Sequence, residues 1–413
     1  MHKRAFWVGL LLILQIILSM AWWTPAASAF TEEQKLFTQA WRIVSQSYID
    51  DSFNHQNWWM LRDKLLKKPL ESREATYTAI QKMLESLDDP FTRLLKPNQY
   101  RSLQVNTSGE LSGVGLQIAL DPETGELQVV APITGSPAQK AGINPRDRIL
   151  AIDGVETSEL TLDEAASRMR GAIGTSVTLK IQSKEGEPKS VELIRDRIAL
   201  NPVYAVLDST PDKVPVGYIR LTQFSANAPA ELSNAIASLE QQGAEAYILD
   251  LRNNPGGLLQ AGIEIARQWL DTGTIVYTVN RQGTIGSFDA YGSALTQDPL
   301  VVLVNQGTAS ASEILAGALQ DNKRAQLVGE KTFGKGLIQS LFDLTDGSGL
   351  AVTVAKYETP SHRDIHKQGI KPDVEVSLDP ITLNEVGTIA DKQYQAALKL
   401  IADRSIVAEA IAN

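Results

Sequence analysis

The run Val301-Val302-Leu303-Val304-Asn305-Gln306-Gly307-Thr308-Ala309-Ser310-Ala311-Ser312-Glu313-Ile314-Leu315 reads as a buried strand, a turn of small residues and a helix that opens at a serine. A serine at such a junction can expose its hydroxyl at the end of a sheet, beside backbone N–H groups able to stabilise an oxyanion. Ser310 and Glu313 also keep the S-x-x-E spacing of a helix capping box, a purely structural use of the same residues. Further on, Lys335 stands between Gly334 and Gly336 and is followed by apolar Leu337 and Ile338. Close packing there would desolvate its ammonium and let it serve as general base for a serine. Lowering a lysine from ~10.4 to about 7 destabilises its charged form by roughly 4.6 kcal/mol, within reach of burial. The plain alternative is a surface lysine on a glycine turn.

Arg252-Asn253-Asn254-Pro255-Gly256-Gly257 follows an apolar strand and leads into a helix. Its glycines permit close backbone approach and could offer N–H groups to an oxyanion, or simply make an ordinary strand-to-helix turn. His362 and His366 are four apart, but Pro360 and Gly369 argue against a helix presenting both to a metal. A Ser–His–Asp triad using either stays open on composition. The chain has neither a G-x-S-x-G elbow nor a G-x-x-x-x-G-K-[ST] phosphate loop.

With 413 residues the chain has material for two to three domains at about 150 residues each. It has no cysteine, which excludes a thiol nucleophile, thiolate zinc and disulfide scaffolds, and four histidines leave little for imidazole metal sites. The net charge of −9 is opposite in sign to a nucleic-acid binder. Lys3 and Arg4, the apolar run Ala5–Trp23 and Ala27-Ser28-Ala29 have the order of a secretory signal cleaved after Ala29; an uncleaved anchor is the other reading. The mature chain from Phe30 is then expected to be exported and soluble, with no stable membrane insertion.

From Thr31 to about Pro97 the periodicity is helical, with Trp41, Trp58 and Trp59 expected in the core. Asp88-Asp89-Pro90 reads as a helix-ending turn rather than a metal or acid/base pair. From Tyr100 to Arg197 short strands alternate with turns around one helix near Leu162–Arg170, which describes a small β-rich module. After Arg197, buried strands alternate with helices, the pattern of an α/β layer, and the tail from Leu383 is helical again. Ligands in such a layer bind beyond the carboxyl ends of the strands, so chemistry is expected at Arg252–Gly257 and Gln306–Ser310.

Together these residues resemble the carboxyl-terminal processing proteases, tail-specific serine proteases with a Ser–Lys dyad. The matching stretches are Asn305–Leu315, Thr332–Gln339, Arg252–Gly257 and Thr359–Val374, the last with Pro360, Gly369-Ile370 and Pro372-Asp373. The resemblance spans essentially the whole mature chain. It implies Ser310 as nucleophile, Lys335 as general base, Gln339 as the residue positioning that lysine, and the N–H groups of Gly256 and Ala311 as oxyanion donors. Neither a metal nor a cofactor is implied. Residues 100–197 resemble the family's PDZ domain, with Ser112-Gly113-Val114-Gly115-Leu116-Gln117-Ile118 at the carboxylate-binding loop and following strand. Gly135-Ser136-Pro137-Ala138 and Asp147–Gly154 continue the match. A substrate C-terminus would add as a strand beside Leu116, Gln117 and Ile118, with Ala166 and Met169 as walls of a pocket or as plain core. The expected organisation is a signal (1–29), a helical domain (30–99), a PDZ domain (100–197), an α/β catalytic domain (198–378) and a helical tail (379–413). Phe30 and the Trp41–Tyr48 region are most similar to the photosynthetic branch, whose members trim the photosystem II reaction-centre precursor in the thylakoid lumen. The simple leader fits a cyanobacterial chain. A general periplasmic tail-specific protease and a non-catalytic PDZ adaptor are the alternatives.

Overall fold

The computed structural model describes residues 30–412 apart from 123, 184–185, 284, 378–380 and 383; the expected signal, 1–29, lies outside the described residues. The chain forms two compact units, one from residues up to Leu94 with Leu341–Val352, the other from Leu95–Ser340 with Thr353 onward. In the first, helix α1 (Glu32–Ser47) opens with Thr31 and Gln34 exchanging side-chain-to-backbone hydrogen bonds. Helices α2 (Trp58–Leu66) and α3 (Arg73–Glu85) follow, and Phe37, Ala40, Val44, Ile80 and Met83 are buried at helical spacing. The Asp89 carboxylate accepts the Phe91 N–H and the Thr92 hydroxyl, as a helix-ending turn requires. Trp41 and Trp58 are core, the Trp41 indole N–H donating to the Trp58 carbonyl at 3.0 Å. Trp59 is not: 61% of it is exposed, a correction to the expected core trio.

The second unit begins at Leu95, the last residue of strand β1 (Arg93–Leu95), and continues into helix α4 (Pro97–Ser108), so Tyr100, the expected start of the β-rich module, lies inside a helix. Strands β2 (Glu110–Gly113), β3 (Leu116–Leu120), β4 (Leu127–Pro132), helix α5 (Pro137–Lys140), strands β5 (Arg148–Ile152) and β6 (Val155–Glu156), and helix α6 (Leu162–Met169) build the module. It closes with strands β7 (Ser176–Gln182), β8 (Lys189–Ile194) and β9 (Asp196–Ala199). The sheet order is β3-β4-β5-β7-β8, which leaves β3 at an edge. Alternate residues Val177, Leu179 and Ile181 point into a core shared with Val114, Ile149, Ala165 and Met169. Strand β2 pairs with β9, tying the module's entry to its exit.

The α/β layer contains strands β10 (Val203–Ser209) and β11 (Pro215–Leu221), helix α7 (Ala228–Gln241), strand β12 (Ala246–Asp250) and helix α8 (Leu259–Trp269). Strands β13 (Thr274–Asn280), β14 (Ile285–Asp289) and β15 (Leu300–Val304), helix α9 (Ala311–Asp321) and strand β16 (Ala325–Gly329) come next. Strands β17 (Leu337–Asp343), β18 (Gly349–Glu358) and β19 (Val374–Glu375) and helix α10 (Lys392–Ala412) complete the chain. The main sheet runs β10-β11-β12-β15-β16-β19, parallel except for β10 against β11. Because successive parallel strands step the same way, right-handed crossovers put α7, α8 and α9 on one face. That face buries Leu249, Val302 and Leu327; the other buries Ile248, Val301 and Val328 beneath Tyr394, Ala397 and Ile401 of α10. Strand β10 and helix α4 escape the sequence reading because one is an edge strand with both faces largely exposed and the other buries only Tyr100.

Within the first unit, Asp346 accepts from Arg73 at 2.8 Å, the Tyr77 hydroxyl at 2.6 Å and the Ser348 hydroxyl at 2.5 Å. Burial would raise this carboxyl, but the Ser348, Tyr77 and Arg73 hydrogen bonds outweigh it and hold it below the usual aspartate value of 3.8. Its stabilisation is therefore complete above that value and lost as pH falls through the lowered one. Hydrogen exchange of α1 and α3 amides should show protection falling below about pH 4 in the wild type. Asp346→Asn should lose protection at neutral pH and flatten that acid dependence; an unaltered acid limb would remove Asp346 as its cause.

Candidate active site

Parallel pairing of β12 with β15 brings their carboxyl ends together, so residues 251–257 and 305–310 lie side by side. The Asn253 N–H donates to Asn305 Oδ1, the Thr308 hydroxyl to the Leu251 carbonyl, and the Ala309 N–H to the Asn254 carbonyl. Ser310 sits at the junction with φ 60° and ψ −119°, outside the ordinary N-cap conformation. A non-glycine residue held there costs on the order of 1–3 kcal/mol, which its surroundings must offset. Ser310 is half-buried, whereas Ser312 is fully buried with its hydroxyl on the Asn254 carbonyl. Gly256 has φ +94°, and a Cβ there would lie 2.6 Å from the Ala309 carbonyl oxygen and 2.9 Å from the Ala311 nitrogen, so only glycine lets the loops meet.

The offset comes from Glu313, a fully buried carboxylate. One oxygen accepts both the Ser310 N–H at 3.0 Å and the Lys335 N–H at 2.9 Å; the other accepts the Gly334 N–H at 2.7 Å and the Thr332 hydroxyl at 2.5 Å. Thr332 in turn accepts the Ile370 N–H at 2.7 Å. Gly334 and Gly336 are small because the 365–369 segment presses on them: Cβ atoms would lie 2.8 Å from the Gly369 nitrogen and 2.9 Å from the His366 nitrogen. Lys335 is accordingly half-buried while Lys331 is exposed. Gln339 donates to the Thr353 hydroxyl at 3.3 Å. Tyr357, whose phenol burial and then the Glu313 charge raise well above its usual value, donates to the Ser310 carbonyl at 3.2 Å.

Of the two expected oxyanion donors, Ala311 is the first residue of α9, where no intrahelical acceptor exists for its N–H. The Gly256 N–H instead donates to Asn254 Oδ1 at 2.9 Å, and the Asn254 amide donates to the Leu221 carbonyl at 2.8 Å. Arg252, next along this loop, is buried between Asp250 and Asp391 with N···O distances of 2.6 and 2.7 Å. Burial would lower the guanidinium, but the two carboxylates reverse that and raise it further above its usual value. In the sequence Asn254 belongs to the Arg252–Gly257 loop without a role of its own, and neither Asp250 nor Asp391 is singled out; an acidic residue ending a buried strand is the available signal for Asp250. His362 stacks on Tyr277 with its Nδ1 2.9 Å from Glu358. No group of His, Asp and Glu side chains suited to a metal ion occurs among the described residues.

Residues 215–376 match peptidase family S41, and residues 128–183 match the PDZ domain. A carboxyl-terminal-processing protease of Synechocystis sp. is 63% identical over 401 residues, covering 97% of this chain and 94% of that protein. The chain belongs to peptidase family S41. Within this family of peptidases it is also similar to the chloroplastic carboxyl-terminal-processing peptidase 2 of Arabidopsis thaliana, 48% identical over 85% of this chain and 70% of that protein. A solved photosystem II D1 C-terminal processing protease superposes with a TM-score of 0.56 at 41% identity, covering 88% of this chain and 99% of its own. The S41 assignment makes the chain a serine peptidase of the carboxyl-terminal-processing kind with a mixed α/β fold.

In the PDZ domain of this S41 peptidase, Leu116 and Ile118 are half-buried and Gln117 is exposed on the edge strand β3. Gly113 bridges to Arg170 at the end of α6, and the Val114 and Gly115 carbonyls accept the Ala138 and Ile133 N–H groups. Met169, like Val114, is buried in the domain core, so core packing describes it; Ala166 is half-buried. Glu313→Gln would set an amide N–H₂ against backbone donors. It should lower kcat by roughly 10²-fold through displaced geometry, with KM little changed; equal losses from Glu313→Gln in both parameters would deny Glu313 a positioning role.

Proposed function

We propose that this S41 peptidase removes a C-terminal extension from a protein substrate by a Ser–Lys dyad, in an exported compartment. The observation that carries the reading is the single Glu313 oxygen that accepts the N–H groups of both Ser310 and Lys335. One carboxylate thereby fixes the backbone of the nucleophile to the backbone of the base. Neutral Lys335 takes the Ser310 hydroxyl proton as Oγ attacks the scissile carbonyl carbon. The oxyanion is received by the Ala311 N–H and by the Gly256 N–H once Asn254 Oδ1 yields it. The Lys335 ammonium then protonates the leaving amine; Lys335, neutral again, takes a proton from the water that attacks the acyl-enzyme and returns it to Ser310 Oγ as the acyl–oxygen bond breaks. Gln339 orients the Lys335 side chain.

Substrate selection rests on β3. Its unpaired edge at Leu116, Gln117 and Ile118 suits strand addition by a substrate C-terminus, with the carboxylate at the Gly113-Val114-Gly115 loop and Ala166 beside it. The proposed substrate is the photosystem II reaction-centre precursor, the thylakoid lumen or periplasm the proposed compartment, and residues 1–29 the removed signal. The similarity to the D1 processing protease supports that substrate. Among the described residues no helix is long and apolar enough to cross a membrane.

Ser310→Ala should abolish peptide cleavage with the fold intact by circular dichroism, and Lys335→Arg should do the same because arginine stays protonated. A folded, active Ser310→Ala enzyme would end the dyad reading. Peptides differing only in their last three or so residues should be cleaved at different rates by mass analysis; cutting indifferent to the tail would remove the PDZ domain from substrate choice.

A further inference from the structure

Helix α2 presents a face that the peptidase reaction does not use. Trp58 and Leu65 turn inward, while Trp59 (61% exposed) and Met60 (68% exposed) face solvent. At 3.6 residues per turn Lys64 and Lys67, the C-cap residue, lie within about 40° of Met60 on the outward half of the helix, Lys68 follows in the bend just beyond its end, and all three are exposed. Asp63, the one acid among them, is held by Arg62 through contacts of 3.1 and 2.9 Å. Arg62 lies 4.8 Å from the ring centroids of both Trp41 and Trp59, and the two indoles meet edge to face at 4.5 Å. Trp59 is therefore held outward by its neighbours, at little entropic cost to a partner. The cationic, aromatic face stands on a chain whose net charge is −9, so its sign is local.

We propose that this face of α2 docks the protein reversibly on an anionic lipid surface. Trp59 and Met60 seat at headgroup level, where an indole with one apolar and one polar side is favoured. Lys64, Lys67 and Lys68 lie over the anionic headgroups with their stems along the apolar boundary. An acidic protein segment would answer the lysines but leave the fixed indole and Met60 in water, which is why lipid fits the face better. Three lysines at such a surface strengthen binding about 100-fold, and the effect fades with salt. The inference goes beyond the proposed proteolysis and stands apart from the dyad.

The test is flotation with vesicles of phosphatidylcholine, with and without phosphatidylglycerol. It compares wild type, Lys64→Glu/Lys67→Glu/Lys68→Glu and Trp59→Ser/Met60→Ser. All carry the same amino terminus, so differences read α2 and not residues 1–29. Wild type should float with phosphatidylglycerol vesicles in a salt-sensitive way. The lysine variant, which leaves the indole packing untouched and reverses three charges, should bind at least about 100-fold more weakly, and the Trp59/Met60 variant roughly tenfold more weakly. Cleavage of a soluble peptide should be unchanged in the lysine variant, which separates docking from the dyad. Equal flotation of wild type and the lysine variant, equal binding to neutral vesicles, or binding to polyglutamate as tight as to vesicles would overturn lipid docking.

Discussion

The candidate active site depends on one buried carboxylate. Glu313 gathers four donors, the N–H groups of Ser310, Gly334 and Lys335 and the hydroxyl of Thr332. Hydrogen bonds to a charged group contribute about 1.5–3 kcal/mol each, so this set is of the right size to hold Ser310 in a conformation costing on the order of 1–3 kcal/mol. An apolar residue there would leave buried N–H groups unsatisfied, and a shorter acid would not span from the helix start to the next loop. The glycines around Lys335 follow from the same constraint, because that loop must come close enough for its amides to reach the carboxylate while a second segment crosses behind it.

The sheet supplies the frame. Parallel strands advancing in one direction commit three helices to one face and leave the other to α10. The start of α10 returns the favour through charge: Asp391 closes the ion cluster around Arg252 beside the loop that meets Ser310. Burial tends to raise the Asp391 carboxyl, and the Arg252 contacts more than reverse it, so it sits below its usual range. Breaking such a buried cluster by removing one partner strands a charge, which is why it makes a stiff anchor although its net contribution to stability is modest.

Apolar runs and turn residues made much of this legible. Strand Leu300–Val304, helix Leu162–Met169 and the start of helix Ala311–Asp321 sit within a residue or so of their sequence expectations, because buried strands and amphipathic helices write their burial into local periodicity. Glu313 was legible only as a cap. Spacing reports a partner three residues away, whereas three of its four donors lie 19 to 22 residues on. Asn254 was hidden for a similar reason, since its carbonyl and amide serve residues on other loops. Trp59 shows the opposite failure: aromatic residues are usually buried, and nothing in its neighbours' identity says which indole of an adjacent pair turns outward.

The helical unit is closed by Leu341–Val352, a segment that follows most of the chain. Helices α1 to α3 are made early, yet Asp346, which joins Arg73 to Tyr77, follows Tyr77 by 269 residues. A unit whose helices are made early is thus completed only late in synthesis. The intervening residues are made while α1, α2 and α3 wait for the segment that completes their unit. Vectorial synthesis therefore delays the closure of the helical unit, and a chain stopped before Val352 would carry it unfinished.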